Sequence, residues 1–302
     1  MPRRYAEACA LPASHRRTTD LVCLPCPVVL SVAPVSSSIP TLLLFGCLTG
    51  VTTVLFGFGG GFITVPVVYG VLTVTGRPGA DAMHVAVATS AAVMLVNAAA
   101  AALAHWRQGR LRRAYVWPLA AFIAIGAAAG ALVATAIGDT TLRLLFAAYL
   151  LVTITDCLVR RGFLSVAHQT HPKPLGRGTT AVGGMGIGLV AAGLGVGGSV
   201  MTVPLLRRRG LPMAEATAMA NPLSVPVAVA GTLVYALAPT AQAATGSLGY
   251  VDLTAGAALL VGSLPTIAVA RRLTGRVPDR IYSVAYVVLL LVVLIVMVTV
   301  GL

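Results

Sequence analysis

The stretch Gly57-Phe58-Gly59-Gly60-Gly61-Phe62-Ile63-Thr64-Val65-Pro66 returns 138 residues later as Gly195-Val196-Gly197-Gly198-Ser199-Val200-Met201-Thr202-Val203-Pro204, identical at six of ten positions. A duplicated glycine-rich turn running into an apolar segment marks a chain built from two related halves. Glycine clusters remove side chains and permit positive φ, so a helix breaks there and its amides turn toward a neighbour. Long apolar runs flank both copies, which places the breaks at membrane depth. Irregular backbone is tolerated there only when buried in protein or lining a cavity, because unpaired amides cost several kcal/mol.

Working outward, apolar runs fall at 39–56, 62–75, 80–104, 116–137 and 142–159, then at 179–194, 198–206, 213–238, 251–270 and 281–302. The second run of each half has only 14 and 9 residues, too few for the roughly 20 that a spanning helix needs. The expected fold is therefore an all-α polytopic membrane protein made of two repeats of about five helical segments each. Broken or half-span helices follow the Gly-rich turns. The divisions are an N-terminal tail over 1–38, a first transmembrane repeat over 39–160, a linker over 161–178 and a second repeat over 179–302.

Composition agrees with a bilayer as solvent. The 302 residues are 58% hydrophobic and 10% charged, against roughly 25% charged in soluble domains. The net charge of +13 raises the question of nucleic acid, and its distribution answers it. Fifteen of the 21 Lys and Arg lie in four stretches between apolar runs, at 107–113, 160–177, 207–209 and 271–280. These read as cytoplasmic loops under the positive-inside rule, and nucleic acid is not an expected partner. Junctions 138–140 and 239–250 lack Lys and Arg and should lie outside. Corresponding loops of the halves then face opposite sides, and an odd number of segments per half makes the repeats inverted in topology. A multi-pass protein of the plasma (inner) membrane is the expected setting.

The chemistry expected at the turns follows from helix ends. A short helix beginning at each glycine cluster aims its positive N-terminus and free N–H groups at an anion. The expected ligands are amides of Gly59, Gly60, Gly61 and Phe62 and of Gly197, Gly198, Ser199 and Val200. Hydroxyls of Thr64, Thr89, Ser90, Ser199 and Thr202, with the side-chain amides of Asn97 and Asn221, complete the set. Gly57, Pro66, Gly195 and Pro204 shape the motif, each proline falling within or near the first turn, where it is tolerated. Both turns should contribute, so Gly60 and Gly198 should be comparably sensitive to replacement. The competing reading is that these glycines allow close helix packing and that the buried hydroxyls and amides merely bond helix to helix. Gly183, Gly184, Gly186 and Gly188 read as packing glycines on the same ground.

Nothing in the sequence points to an enzyme, a metal or a cofactor. The five histidines lack ligand spacing, neither nucleotide fingerprint is complete, and no catalytic triad is suggested by spacing. Asp81, His84, Arg143, Asp156, Glu215 and Asp252 lie near the ends of runs, so no mid-membrane carboxylate is expected to carry a proton. His105 reads as an interfacial residue. The five cysteines are odd in number and two lie in apolar runs, which argues against a disulfide framework. Cys23 and Cys26 have C-x-x-C spacing but lack supporting partners, in a tail read as a leader or a poorly ordered extension.

Several motifs together resemble the TauE/SafE family of sulfite and organosulfonate transporters over about residues 39–302. They are Gly57-x-Gly59-Gly60-Gly61-x4-Pro66, Ala88-Thr89-Ser90, His105-x-Arg107-x-Gly109, Gly126-x3-Gly130, Gly195-x-Gly197-Gly198-x5-Pro204, and Gly249-Tyr250-Val251-Asp252 with Gly262. Three departures stand out: Ser199 replaces a glycine, Asn221-Pro222 replaces a Thr-Ser pair, and Arg110-Leu111-Arg112-Arg113 replaces an apolar-Asp-aromatic sequence. The resemblance implies a secondary transporter that exports or imports sulfite, thiosulfate, sulfoacetate or a related small sulfur-containing anion. The alternative is a membrane-embedded sulfur-relay or assembly factor using Cys23 or Cys157.

Overall fold

The computed structural model describes residues 38–74, 81–107, 113–159, 177–208, 213–240, 246–270 and 279–299. The tail with Cys23 and Cys26, most of the basic linker, and Arg110, Lys173 and Arg276 lie outside the described residues. The helices are α1 (Ser38–Phe56), α2 (Gly61–Val74), α3 (Ala82–Arg107), α4 (Arg113–Thr135), α5 (Asp139–Val159), α6 (Arg177–Gly193), α7 (Ser199–Arg208), α8 (Met213–Leu237), α9 (Leu253–Ala270) and α10 (Asp279–Thr299). A two-residue ladder, β1 (Ser247–Leu248) with β2 (Val251–Asp252), interrupts the all-α pattern between α8 and α9. Gly246 and Gly249 sit there at φ +93° and +57°. Asp252 then starts α9 by accepting the Thr254 and Ala255 N–H groups at 2.9 and 3.0 Å, an N-cap of the ordinary kind.

Six of the described helices are long and apolar enough to cross a membrane: α1, α3, α4, α5, α8 and α9. Large apolar side chains such as Leu44, Leu132, Val152 and Val261 are exposed along these helices, as lipid-facing positions must be. Trp106 and Trp117 are exposed at either side of the Arg107–Arg113 connection, where amphipathic rings anchor at an interface. The half-span expectation for the second run of each half agrees with the 14-residue α2 and the 10-residue α7.

Helix α1 packs against α9, α4 against α6 and α3 against α8; α2 packs on α3, and α7 on α8. Backbone-to-backbone approach sets the first two contacts. A Cβ on Gly46 or Gly262 would overlap backbone of α9 or α1, and a Cβ on Gly126, Gly130 or Gly188 would overlap backbone across the α4–α6 contact. Gly184 also faces α4, through Phe122 and Leu119, but Gly183 and Gly186 open onto empty space. The packing reading therefore holds for Gly184 and Gly188 and fails for Gly183 and Gly186, which point off the helix contact.

Candidate functional site

The two glycine turns are the ends of broken helices. Gly57, Gly59 and Gly60 adopt φ +72°, +64° and +87°, and Gly195 adopts +64°, a region costly for residues with a Cβ. Helix α2 starts at Gly61 and α7 at Ser199, so both short helices begin at their cluster, as the spacing indicates. The prolines are deeper than expected. Pro66 and Pro204 are each the sixth residue of their helix, where a proline leaves the carbonyl four residues earlier without its N–H partner. For Pro204 that carbonyl belongs to Val200, and the buried Tyr286 hydroxyl of α10 donates to it at 3.1 Å.

The turns touch each other. A Cβ at Gly197 would lie 2.5 Å from the Phe58 carbonyl oxygen, and one at Gly61 would lie 2.8 Å from that of Gly195. Ser90 of α3 stands over this contact and donates its one hydroxyl proton to either Gly61 O at 2.8 Å or Gly195 O at 2.7 Å. Met94, one turn further along α3, fills the remaining space. Its Cγ comes within 2.7 Å of the Cβ position of Gly59, and its sulfur within 3.3 and 3.1 Å of those of Gly61 and Gly197. Thr64, Thr89, Ser90, Asn97, Ser199, Thr202 and Asn221 are all 0% exposed. The centre is closed to solvent in this conformation.

Polar satisfaction divides the sequence-derived residues into two groups. Thr64 bonds back to Gly60 O at 2.9 Å, and Thr89 accepts the Asp252 N–H at 2.9 Å, tying α3 to the ladder. These two serve the backbone. By contrast Asn97 Nδ2, Ser199 Oγ, Thr202 Oγ1 and Asn221 Oδ1 are buried without a hydrogen-bond partner. A buried polar atom left unmade costs about 1–3 kcal/mol, so four around one pair of turns are costly for packing alone. Asn97 is held by the Ser263 hydroxyl of α9, which donates to its Oδ1 at 2.8 Å. That bond leaves Nδ2 facing Gly60, 2.9 Å from where a Cβ would be. Asn221 Nδ2 donates to Thr53 O at 3.3 Å.

The two turns differ in what surrounds them. Around Gly60 stand Asn97 Nδ2, Thr53 Oγ1 and Thr49; around Gly198 stand methyl groups of Ile187 and Val227 and the Leu223 carbonyl. The amides differ too. Val200 and Met201 N–H close onto Gly197 and Gly198 carbonyls at 3.3 and 3.2 Å, so the expected Val200 amide is already engaged. At α2 the first bond runs from Thr64 N–H to Gly60 O at 3.3 Å, which leaves the Gly61, Phe62 and Ile63 amides as the helix's open donors. The second turn instead offers the Ser199 and Thr202 hydroxyls.

A family model described as Sulfite exporter TauE/SafE matches residues 42–297, most of the chain. The chain belongs to the TauE/SafE sulfite exporter family. It is a multi-pass membrane transporter by family, and the family is not one of enzymes. A protein of Haemophilus influenzae named a probable membrane transporter protein is 25% identical over 254 residues, covering 83% of this chain and 94% of that protein. A probable membrane transporter protein of Methanocaldococcus jannaschii is 23% identical over 221 residues, covering 71% of this chain and 78% of its own. No solved structure matches the chain.

Sequence reasoning missed four residues that surround the glycine turns: Thr49, Thr53, Met94 and Ser263. Threonines in apolar helices routinely bond their own preceding turn, as Thr49 and Thr53 do, so nothing in α1 marked them. Of the two cysteines that are described, Cys157 is 1% exposed in α5 and Cys47 lies exposed on α1. Among the described residues no group of three His, Cys, Asp or Glu side chains is placed to hold a metal ion.

Proposed function

We propose that the protein is a secondary transporter of small sulfur-containing anions such as sulfite, thiosulfate or organosulfonates, working in the plasma (inner) membrane by alternating access around the two glycine turns. The observation that carries this is Asn97 Nδ2, a fully buried donor without a partner at the start of α2. With the Gly61–Ile63 amides and the helix dipole it makes a neutral oxyanion receptor. Ser199 and Thr202 hydroxyls supply donors from the other side. Neutral donors favour release as well as capture.

Alternating access is supported by how the helices pair. Matching α1 to α6 through α5 to α10 turns the α1–α9 contact into the α6–α4 contact, and the α2–α3 contact into the α7–α8 contact. The same exchange carries Gly60 with Thr49 onto Gly198 with Ile187. That is the exchange expected of two repeats related by a twofold axis, and the odd number of segments per half favours an axis in the membrane plane. Because the turns are in direct backbone contact, an anion enters only when the repeats part.

Purified protein in liposomes, loaded with sulfite, thiosulfate or sulfoacetate and challenged with labelled anion outside, tests the reading. Counterflow of one of them is expected, and Asn97→Ala should lower apparent affinity by about 10- to 150-fold, the worth of one hydrogen bond to a charged ligand at about 1.5–3 kcal/mol. Absence of counterflow for every anion overturns the substrate class. Wild-type affinity in Asn97→Ala overturns the site.

A further inference from the structure

We propose that His84 and Asp139 form a proton-binding site that holds one end of the bundle closed. His84 sits in the first turn of α3 and is 3% exposed. Its Nδ1 lies 3.3 Å from Asp139 Oδ1, and its Nε2 lies 3.1 Å from the Ala134 carbonyl oxygen. Both neighbours are acceptors. A neutral imidazole has one N–H and one lone pair, so in either tautomer one lone pair confronts an oxygen. Only the imidazolium donates to both.

Three helices meet through this ring: α3 carries it, Ala134 belongs to the last turn of α4, and Asp139 opens α5. Asp139 Oδ1 also accepts the Met83 and His84 N–H groups at 2.7 and 3.3 Å, so the carboxylate caps α3 whether or not the ring is charged. The other described groups facing the ring are Asp81, whose carboxylate adds negative potential, and Tyr250 of the ladder turn, with its ring centroid 5.4 Å away. Arg143, one turn along α5, directs its guanidinium to the Tyr69 hydroxyl at 3.4 Å. Asp252 directs its carboxylate to the start of α9. Asp139 is 22% exposed through its side chain, which gives the buried ring a route to water.

A proton that fits only the closed arrangement is linked to closure, and closure is linked to the proton by the same factor. Raising the pH therefore loosens this end of α3, four to thirteen residues before Ala88, Ser90, Met94 and Asn97 at the glycine turns. In the transport cycle proposed above, on which this one consequence rests, the carrier takes up a proton as this end closes and gives it up as the end opens.

The test reads closure and needs no substrate. In a cysteine-free protein, Ala82→Cys reports the buried first turn of α3, and Gly138→Cys, whose Cβ meets nothing within 4 Å, reports an exposed neighbour and corrects for thiolate formation. Both are labelled in lipid nanodiscs with a water-soluble maleimide at pH values about one to two units on either side of the ordinary histidine value of about 6.5. The corrected Ala82→Cys rate should rise about tenfold from low to high pH, the equivalent of about 1.4 kcal/mol. In His84→Gln it should be flat, and in Asp139→Asn, which keeps a capping oxygen, the change should move to lower pH. A flat profile with His84 present, or a change surviving His84→Gln, overturns the proposal. Should His84→Gln not fold, an unmoved midpoint in Asp139→Asn overturns it alone. Counterflow with labelled sulfite is measured separately, so failure of transport and failure of the latch are distinguishable.

Discussion

Replacing one glycine in each turn by alanine separates the two halves of the site. At Gly60 the backbone has φ +87°, and a residue with a Cβ there costs about 1–2 kcal/mol. The new methyl also sits 2.9 Å from Asn97 Nδ2. Asn97 gives way only by loosening its 2.8 Å bond to Ser263, worth about 0.5–1.5 kcal/mol. Gly60→Ala should therefore destabilise by about 2–3 kcal/mol. Gly198 has no positive φ, and its added methyl would meet the methyls of Ile187 and Val227 at 3.3 and 3.4 Å. An alanine in compatible backbone gains about 0.4–1 kcal/mol from a restricted unfolded chain, which offsets that mild crowding. Thermal melts of the two variants in matched lipid nanodiscs should place Gly60→Ala about 4–10 °C below wild type and Gly198→Ala within about 3 °C of it. Anion affinity should follow, falling in Gly60→Ala because Asn97 is displaced. Equal losses in the two variants, the outcome sequence symmetry alone suggests, would refute the claim that the polar cradle belongs to the first turn.

Three further outcomes follow from single contacts. Tyr286→Phe strips the donor from the Val200 carbonyl beside Pro204 and should lower stability by about 1–3 kcal/mol, read as a fall in melting temperature with insertion unchanged. Met94→Ala removes the thioether that fills the space between the turns; it should cost about 2–5 kcal/mol in stability and raise anion leak through liposomes, and a variant that melts low without leaking shows the side chain to be filler alone. Cysteines placed at Gly246 and Arg208 should label from opposite faces of the membrane in intact cells, and labelling from one face would end the inverted-repeat reading.

How far the sequence reached is best judged at individual residues. The turn positions were legible because only glycine tolerates the backbone at Gly57, Gly59, Gly60 and Gly195, and because the duplication repeats that demand. Asn97, Ser199, Thr202 and Asn221 were legible because a lone polar side chain in an apolar helix must turn inward. What surrounds them was not. Ser263 meets Asn97 across 166 positions of sequence, and Met94 looks like any apolar residue of a spanning helix. The expectation that both turns are alike failed to see that Thr49 and Thr53 face Gly60 whereas Ile187 faces Gly198, since that contrast lies in the neighbouring helices and not in the motif. His84 and Asp139 each looked like residues at a segment end. Their pairing depends on how α3, α4 and α5 meet, 55 residues apart in the chain.

The closed centre carries the conditions for its own opening. Four buried polar atoms lack partners there, at about 1–3 kcal/mol each, so this state is less stable than its tight packing implies. Parting the turns breaks van der Waals contact between glycine backbones and withdraws a methionine, the most adaptable of the core side chains. It strands little else. Ser90 has a single hydroxyl proton between two carbonyls at 2.8 and 2.7 Å, so it keeps one bond when the turns separate and loses none outright. In the proposed cycle an oxyanion entering the gap would accept from Asn97, Ser199, Thr202 and the first amides of α2, donors that the closed state leaves unused. These unused donors would lower the cost of parting the turns, which a carrier that must return empty requires and a rigid structural turn does not.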